Sequence, residues 1–403
     1  MNKYLFMLGD LPPAPSANGV CTEKIIKKLY NKEEDNIHCI IWSDKEIANL
    51  YPYKLHFISG RAKKDNNQSK IVKFFARIKY VLSKLVLLRC FPASSLKIAS
   101  AYYKEAINVI DNNDITHVIA VSFPGETLIA LKKLKRKYKD KIITIVYPLD
   151  VSLEGDRTRF KLWNVLTEAA GKSVLNKTIK VCDHMLSLEN AKEMFINDIN
   201  KKYHHKLTFV GIPLIENIND IANNKKSDEV VLLYAGYLMH DMYNPLPVLD
   251  LIEKGLSSTN KKIIFDFYGV CDDYLRKEIS TKYKHIVFKD NGWISDVQLN
   301  EAMAKADIFL NISKAKTNTI PSKVFKYMCF KKTIIHYYFV DDDSCLPYLE
   351  KYKNVFLINH NNINEIESID LDNIGFASDE IDVEEIFPTC TASYTANVIK
   401  NYK

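Results

Sequence analysis

Residues 317–339, TNTIPSKVFKYMCFKKTIIHYYF, compress a loop, a short helix and a buried strand into 23 residues. Val324, Phe325 and Met328 fall on one side of that helix and Lys323, Lys326 and Tyr327 on another, since positions three or four apart share a helix face. The run that follows, KTIIHYYF at 332–339, is β-branched and aromatic, the composition of a strand covered on both faces. A helix delivered straight into such a strand is half of a β-α-β unit. The stretch therefore asks for a parallel sheet, and for the same alternation elsewhere in the chain.

The alternation is there from end to end. Upstream of the quoted stretch, VVLLYAG (230–236), KIIFDFYG (262–269), HIVFKD (285–290) and DIFLNIS (307–313) are short apolar runs separated by helical patterns, and NVFLIN (354–359) follows it. The first half repeats the scheme with YLFMLG (4–9), IHCIIW (37–42), KLHFIS (54–59), THVIAVSF (116–123), KIITIVY (141–147), HMLSL (184–188) and KLTFVG (206–211). Two such sets predict an α/β chain of two Rossmann-like, doubly wound domains. The polar stretch at 216–229, ENINDIANNKKSDE, has the composition of the link between them. The expected division is 1–215, 216–385 and a closing helix over 386–403.

Composition narrows the class. With 403 residues the chain is long for one core, and 47 % hydrophobic with 26 % charged residues is a soluble, globular balance. No apolar run approaches the roughly 20 residues that span a bilayer. The N-terminal MNKYLFMLGDLPPAP has too short an apolar stretch for an export signal. The eight cysteines are scattered without a C-x-x-C pair, which points to a reducing cytoplasm and to neither a disulfide framework nor a zinc site. The net charge of +7 is uneven: eleven Lys and Arg stand against one acid, Asp65, between Lys54 and Lys97. Within that segment residues 69–90, SKIVKFFARIKYVLSKLVLLRC, have the pattern expected of a basic amphipathic helix. Its charged face is either simply solvated or leans on anionic lipid head groups at about 1 kcal/mol per basic residue. Nucleic acid is not an expected partner, because no recognition motif accompanies the charge.

Five of only twelve glycines (Gly9, Gly211, Gly236, Gly269, Gly292) fall at or just beyond the end of an expected strand. In open parallel sheets that edge is where ligands bind, and a glycine there allows a tight turn or a close backbone approach. The quoted helix start adds the chemistry. Pro321 suits a first helical turn, the free N–H groups of that turn attract anions, and Lys323 adds a full positive charge. This suits a phosphate or diphosphate. A dinucleotide oxidoreductase is excluded, since the first strand is followed by GDLPPAPSANG rather than G-x-G-x-x-G. A kinase or phosphatase lacks a P-loop.

VVLLYAGYL, IIFDFYGV, IVFKDNGWIS, LNEAMAKADIFLNIS and IPSKVFKYM…KKTIIHYY, in this order and spacing, resemble the donor-binding half of a GT-B glycosyltransferase. The resemblance is to family 4 members that carry a Pro-Ser-Lys helix start and build bacterial surface polysaccharides. The opening GDLPPAPSANGVCTEKIIKKL is similar to the acceptor-side opening of that family, and PTCTASYTANVIK to its closing helix, which crosses back to the first domain. The resemblance implies two Rossmann-like domains facing each other across a cleft, with the nucleotide sugar held by the second. By that likeness Gly236 and Tyr237 line the diphosphate, Gly269 and Val270 flank the nucleotide, and Trp293 and Ile294 hold its base. Ser322 and Lys323 bind the diphosphate, with Asn318 and Tyr327 beside it. Asn18 and Gly19 face the transferred sugar, and Asp150 stands on the acceptor side. The implied partners are a nucleotide-sugar donor and a lipid-linked glycan, with no obligatory metal or other cofactor, on the inner face of the cell membrane.

The sequence departs from that family at one place. Many members carry two glutamates separated by seven residues, and here the positions hold Asn318 and Lys326. A lysine cannot accept hydrogen bonds from a ribose diol but can meet phosphate. Lys323 and Lys326 are therefore expected to stabilise the leaving diphosphate in a retaining transfer. An inverting one would need a base, with Asp10, Asp150 and Glu126 as candidates. Loss of both glutamates leaves a partner or scaffold protein as the alternative. Two further features are set aside: VDDDSCLPYL (340–349) is expected to cap a helix through Asp343 or Ser344 rather than bind metal, and His240 with Asp241 to rim a loop.

Overall fold

The computed structural model describes residues 2–12, 16–42, 45–58, 93, 95–121, 124–149, 161–218, 229–256, 262–313, 321–369 and 381–403. The 69–90 segment, Asp150 and Asn318 lie outside them. The chain divides into two compact units, Met1–Pro213 with Ala392–Lys403, and Leu214–Thr391.

The first unit runs β1 (Tyr4–Leu8), α1 (Ala17–Leu29), β2 (Ile37–Ile41), β3 (Lys54–Phe57), α2 (Leu96–Asn113), β4 (His117–Val121), α3 (Glu126–Tyr138), β5 (Ile143–Tyr147), α4 (Lys161–Ile179), β6 (His184–Leu188), α5 (Lys192–Asp198) and β7 (Leu207–Val210). Its seven strands form one sheet in the order β3-β2-β1-β4-β5-β6-β7, every pair parallel. β1, β2 and β4 are buried at all five positions, which is why YLFML, IHCII and HVIAV lack polar alternation.

The second unit runs β8 (Glu229–Leu238), α6 (Leu246–Leu256), β9 (Lys262–Cys271), α7 (Asp273–Lys282), β10 (Ile286–Asp290), α8 (Asp296–Lys305), β11 (Ile308–Ile312), α9 (Ser322–Cys329), β12 (Thr333–Tyr338), α10 (Leu346–Tyr352), β13 (Val355–Asn359) and α11 (Val383–Ile386). Its sheet has the order β10-β9-β8-β11-β12-β13, again parallel throughout. The last helix, α12 (Ala392–Asn401), packs on α1 in the first unit. No described helix is long and apolar enough to cross a membrane.

In both sheets the strand order reverses, between β1 and β4 in the first unit and between β8 and β11 in the second. Such a reversal sends neighbouring loops to opposite faces and opens a crevice at the carboxyl ends of the strands. The structure therefore offers one natural ligand position per unit.

Candidate functional site

At the second unit's reversal, α9 supplies the charge. Pro321 is the cap residue of this helix, one position before its first turn, and Ser322 begins it. Among the described residues no side chain caps the helix and no acid lies in its first turn; the Val324 N–H donates to the Pro321 carbonyl at 3.1 Å, and the N–H groups of Ser322 and Lys323 face the helix mouth. Val324, Phe325 and Met328 bury the opposite side, which holds the helix in place by apolar contact.

Lys323 folds back over the end of β8. Its Nζ lies 3.8 Å from the centroid of the Tyr234 ring and 3.4 Å from the Ala235 carbonyl, to which it donates. Burial lowers its pKa to about 7, and the neighbouring Cys345 opposes that shift. Among the described residues no carboxylate pairs with it. A ring face and one carbonyl are weak compensation for a half-buried ammonium, so the site retains an appetite for a negative ligand.

The glycines make room for one. Gly236 and Gly269 are not turn residues after their strands, as the sequence suggests, but paired positions inside β8 and β9, which run on to Leu238 and Cys271. Both take φ of 140°. A Cβ on Gly269 would lie 1.8 Å from the Gly236 oxygen, so the two strands can approach only because a side chain is absent there. A Cβ on Gly236 would lie 3.5 Å from Lys323 Nζ. The Gly269 N–H donates to the Gly292 carbonyl at 2.8 Å, which ties the loop after β10 to the same edge.

Beyond the glycines the surface turns aromatic. Tyr237 and Trp293 meet edge to face at 6.1 Å and are 47 % and 64 % exposed, and Val270 is exposed beside Tyr237 in the pairing partner strand. Ile294 is half-buried, and Ser295 closes the loop with a capping box to Gln298 at the start of α8. Gly236, Tyr237, Gly269, Val270, Trp293, Ser322 and Lys323 thus belong to one edge of one unit.

Two of the expected residues have other duties. Tyr327 is fully buried and stacked on Phe309 at 4.5 Å, and its hydroxyl accepts the Ala235 N–H at 3.0 Å. It supports the end of β8 from beneath rather than lining an open surface. Lys326 is half-buried in the last turn of α9, where positive charge suits the helix dipole, not at the helix mouth with Lys323.

Sequence reasoning missed Tyr234 and Asp272. Tyr234 sits within a buried strand and carries no polar signal, yet its ring underlies Lys323 and its hydroxyl donates to the Tyr237 carbonyl at 2.9 Å. Asp272 accepts from the His240 backbone at 2.8 Å, lies 3.0 Å from His240 Nδ1, and caps α7 through the Leu275 N–H. Burial works against its ionised form, but those donors hold its carboxyl below the usual range. The partner of His240 is therefore Asp272, from the next strand end, and not the adjacent Asp241.

In the first unit Asn18 and Gly19 lie in the opening turn of α1, which Ser16 caps by accepting the Gly19 N–H at 3.0 Å. A Cβ on Gly19 would come within 2.8 Å of Asp10 Oδ1, so the loop after β1 also depends on a bare glycine. Glu126 is buried and accepts the Ser95 N–H at 2.8 Å.

No protein-family model matches the chain, and no curated protein sequence matches it. Solved structures do. The apo lipopolysaccharide outer core galactosyltransferase WaaB superposes with a TM-score of 0.54 at 12 % identity, covering 99 % of this chain and 98 % of that one. A UDP-GlcNAc 2-epimerase from Methanocaldococcus jannaschii gives 0.55 at 14 % identity over 99 % and 98 %. A variant of S. aureus TarM in complex with fondaparinux, alpha-GlcNAc-glycerol and UDP gives 0.51 at 10 % identity over 100 % and 97 %. The fold shared along the whole chain is the two-unit GT-B fold of glycosyltransferases and of this epimerase.

Proposed function

We propose that this chain is a nucleotide-sugar-dependent glycosyltransferase whose donor binds at the carboxyl edge of the second unit. The observation that carries the reading is the half-buried ammonium of Lys323, without a carboxylate partner among the described residues, beside a helix start with no described side-chain cap and a glycine-lined strand edge. A diphosphate supplies the missing countercharge, and the TarM variant of the same fold is seen with UDP. Tyr237, Val270, Trp293 and Ile294 then take the nucleoside, and Ser322 and Lys323 the diphosphate, with Lys326 and Asn318 as further groups of the second unit. Asn18, Gly19 and Asp150 belong to the acceptor side.

In a retaining transfer the leaving diphosphate accepts the proton of the acceptor hydroxyl, and the protein stabilises charge developing on the phosphate oxygens. Lys323 and the leading N–H groups of α9 do this without a dedicated carboxylate. We place the acceptor among lipid-linked glycans of bacterial surface polysaccharide, with the 69–90 segment resting on the anionic inner face of the membrane. No catalytic metal or other cofactor is invoked.

A second reading has its own observation. Lys326 and Asn318 occupy the places of the paired glutamates in similar family 4 enzymes, which favours a partner or scaffold that has lost turnover. Thermal unfolding with UDP, GDP, CMP or no ligand separates the two. One nucleotide at about 100 times its dissociation constant should add roughly 2.7 kcal/mol to the wild type and nothing to Lys323→Ala. If no nucleotide shifts the wild type, the donor-site reading fails and the scaffold reading replaces it.

A further inference from the structure

One buried polar cluster in the second unit is not used by the proposed donor site. His336 in β12, Asp343 and Cys345 in the turn before α10, and Asn311 and Ser313 at the end of β11 are each at most 6 % exposed. The structure does not use Asp343 or Ser344 as the cap residue of α10. Cys345 holds that position, and its N–H donates to Asp343 Oδ1 at 2.8 Å. This frees the carboxylate to face inward, 3.4 Å from His336 Nε2. One nitrogen of His336, one oxygen of Asp343 and the sulfur of Cys345 lie within 4.8 Å of one another.

Two fully buried atoms of the cluster have no hydrogen-bond partner, His336 Nε2 and Asn311 Oδ1. Such orphans cost about 1–3 kcal/mol each and call for an explanation. The Asn311 amide nitrogen stands 2.7 Å from His336 Nδ1, but amide orientation follows from the surrounding hydrogen bonds. With the amide turned over, Oδ1 accepts the Nδ1–H and one orphan disappears. His336 Nε2 then presents its lone pair to the Asp343 carboxylate at 3.4 Å and to the Cys345 sulfur, an arrangement that calls for a bound cation or a second ring proton.

We propose that His336, Asp343 and Cys345 are ligands of a divalent metal ion of the borderline-soft class, zinc above all, that pins β12 to the start of α10. Nitrogen, sulfur and carboxylate oxygen from three side chains form a ligand set that zinc accepts. A carboxylate and a thiolate balance its charge inside the protein, and the thiol releases its proton to solvent on binding. Tetrahedral zinc sets neighbouring ligand atoms roughly 3.3–3.8 Å apart, which the His336–Asp343 separation already meets. The cysteine sulfur needs at most about 1 Å of approach, within reach of a rotamer adjustment. Ser313, which neighbours both Asp343 and Cys345, leaves the fourth position to its own hydroxyl or to water. The role is structural and does not rest on the donor reading, although Cys345 also neighbours Lys323.

The test is elemental analysis of the full chain, purified without a metal-binding tag, followed by removal of metal with chelator and back-titration with Zn2+ alone. Near one zinc per chain is expected, with a melting temperature that falls by several degrees on chelation and recovers with Zn2+. Cobalt substituted into the site should give a thiolate charge-transfer band that Cys345→Ser abolishes and Cys271→Ser keeps, and His336→Gln should lose stoichiometric zinc. A wild type that carries no metal and, after chelation, neither binds Zn2+ nor shifts its melting temperature overturns the proposal and leaves an imidazolium–carboxylate pair in its place. That outcome is read on the wild type, so a variant that fails to fold does not blur it.

Discussion

At the amino edge of the first unit's sheet, His117 and His184 begin β4 and β6 and close on Tyr402 just past α12. The His184 ring stacks on Tyr402 at 4.0 Å, and His117 Nε2 lies 3.2 Å from the Tyr402 carbonyl. At the carboxyl edge of the second unit's sheet, Gly236 and Gly269 strip the strands bare, and Lys323 rests on a ring face without an acidic partner among the described residues. The same open parallel sheet is thus finished in two ways. One edge is covered by stacked rings, and the other keeps an unbalanced charge and an absent side chain. Sealing serves stability, whereas an uncompensated cation on a thinned edge is intelligible only with a ligand, because burial without a partner is costly.

The sharpest way to break this contrast is at Gly269. Gly269→Ala puts a methyl group 1.8 Å from the Gly236 oxygen at a φ of 140° that side chains avoid, so backbone must move. A loss of about 4 kcal/mol from the second unit is expected by combining backbone strain with overpacking. Gly292→Ala supplies the control. Its φ of 63° is also left-handed, but nothing lies within 4 Å, and about 1 kcal/mol is expected. Urea midpoints followed through Trp293, with Trp42 and Trp163 replaced by Phe, report the second unit. Equal effects of the two substitutions would mean that the close strand approach does not matter.

Next in size is the seal of the first unit. Tyr402→Ala removes the ring stacked on His184 and should cost the first unit about 2 kcal/mol. A variant retaining Trp42 and Trp163 follows that unit. If Tyr402→Ala leaves its midpoint in place, the stacked rings are ornament and the comparison loses its first half.

The contrast also explains what the sequence made legible. All thirteen described strands fall on apolar runs visible beforehand: the central ones are covered on both faces and must be apolar throughout, and edge strands such as β3 and β10, exposed or half-buried at most positions, still keep an apolar majority or alternation. The Pro-Ser-Lys start of α9 was legible for a similar reason, since proline and lysine at a helix entrance act locally. Contacts made by pairing were not. Gly236 and Gly269 read as turn glycines because their meeting is a fact of register between strands. Tyr327 shares a helix face with Lys323 on spacing alone, yet its ring turns inward onto Phe309 from β11. Asp272 reaches His240 across 32 residues, a contact that nothing in the sequence spacing announces.

Acid sharpens the comparison with the smallest expected effect. In the first unit burial lowers the pKa of His38 to about 4, with His56 and Lys54 adding to the shift. Burial also lowers His56 against the pull of Glu105, His117 against the Tyr402 carbonyl, and His184 against the Lys403 backbone. Each folded-state pKa lies below the unfolded value of about 6.5, so between the two the unfolded chain binds more protons. Stability is complete above about pH 6.5 and is lost as pH falls through the window down to about 4. In the second unit burial lowers the pKa of Lys323 to about 7, so the fold loses a further small part of its stability as that amine gains its proton below pH 7.5. Lowering the pH from 7.5 to 5 should therefore reduce the urea midpoint of the first unit by an amount on the order of 1–2 kcal/mol, with a smaller change in the second. His38→Gln should flatten the first unit's dependence. A first unit that gains stability in acid, or a second that loses more, would show that these rings are charged in the fold, and that the sealed edge is held by ion pairing rather than by neutral, stacked histidines.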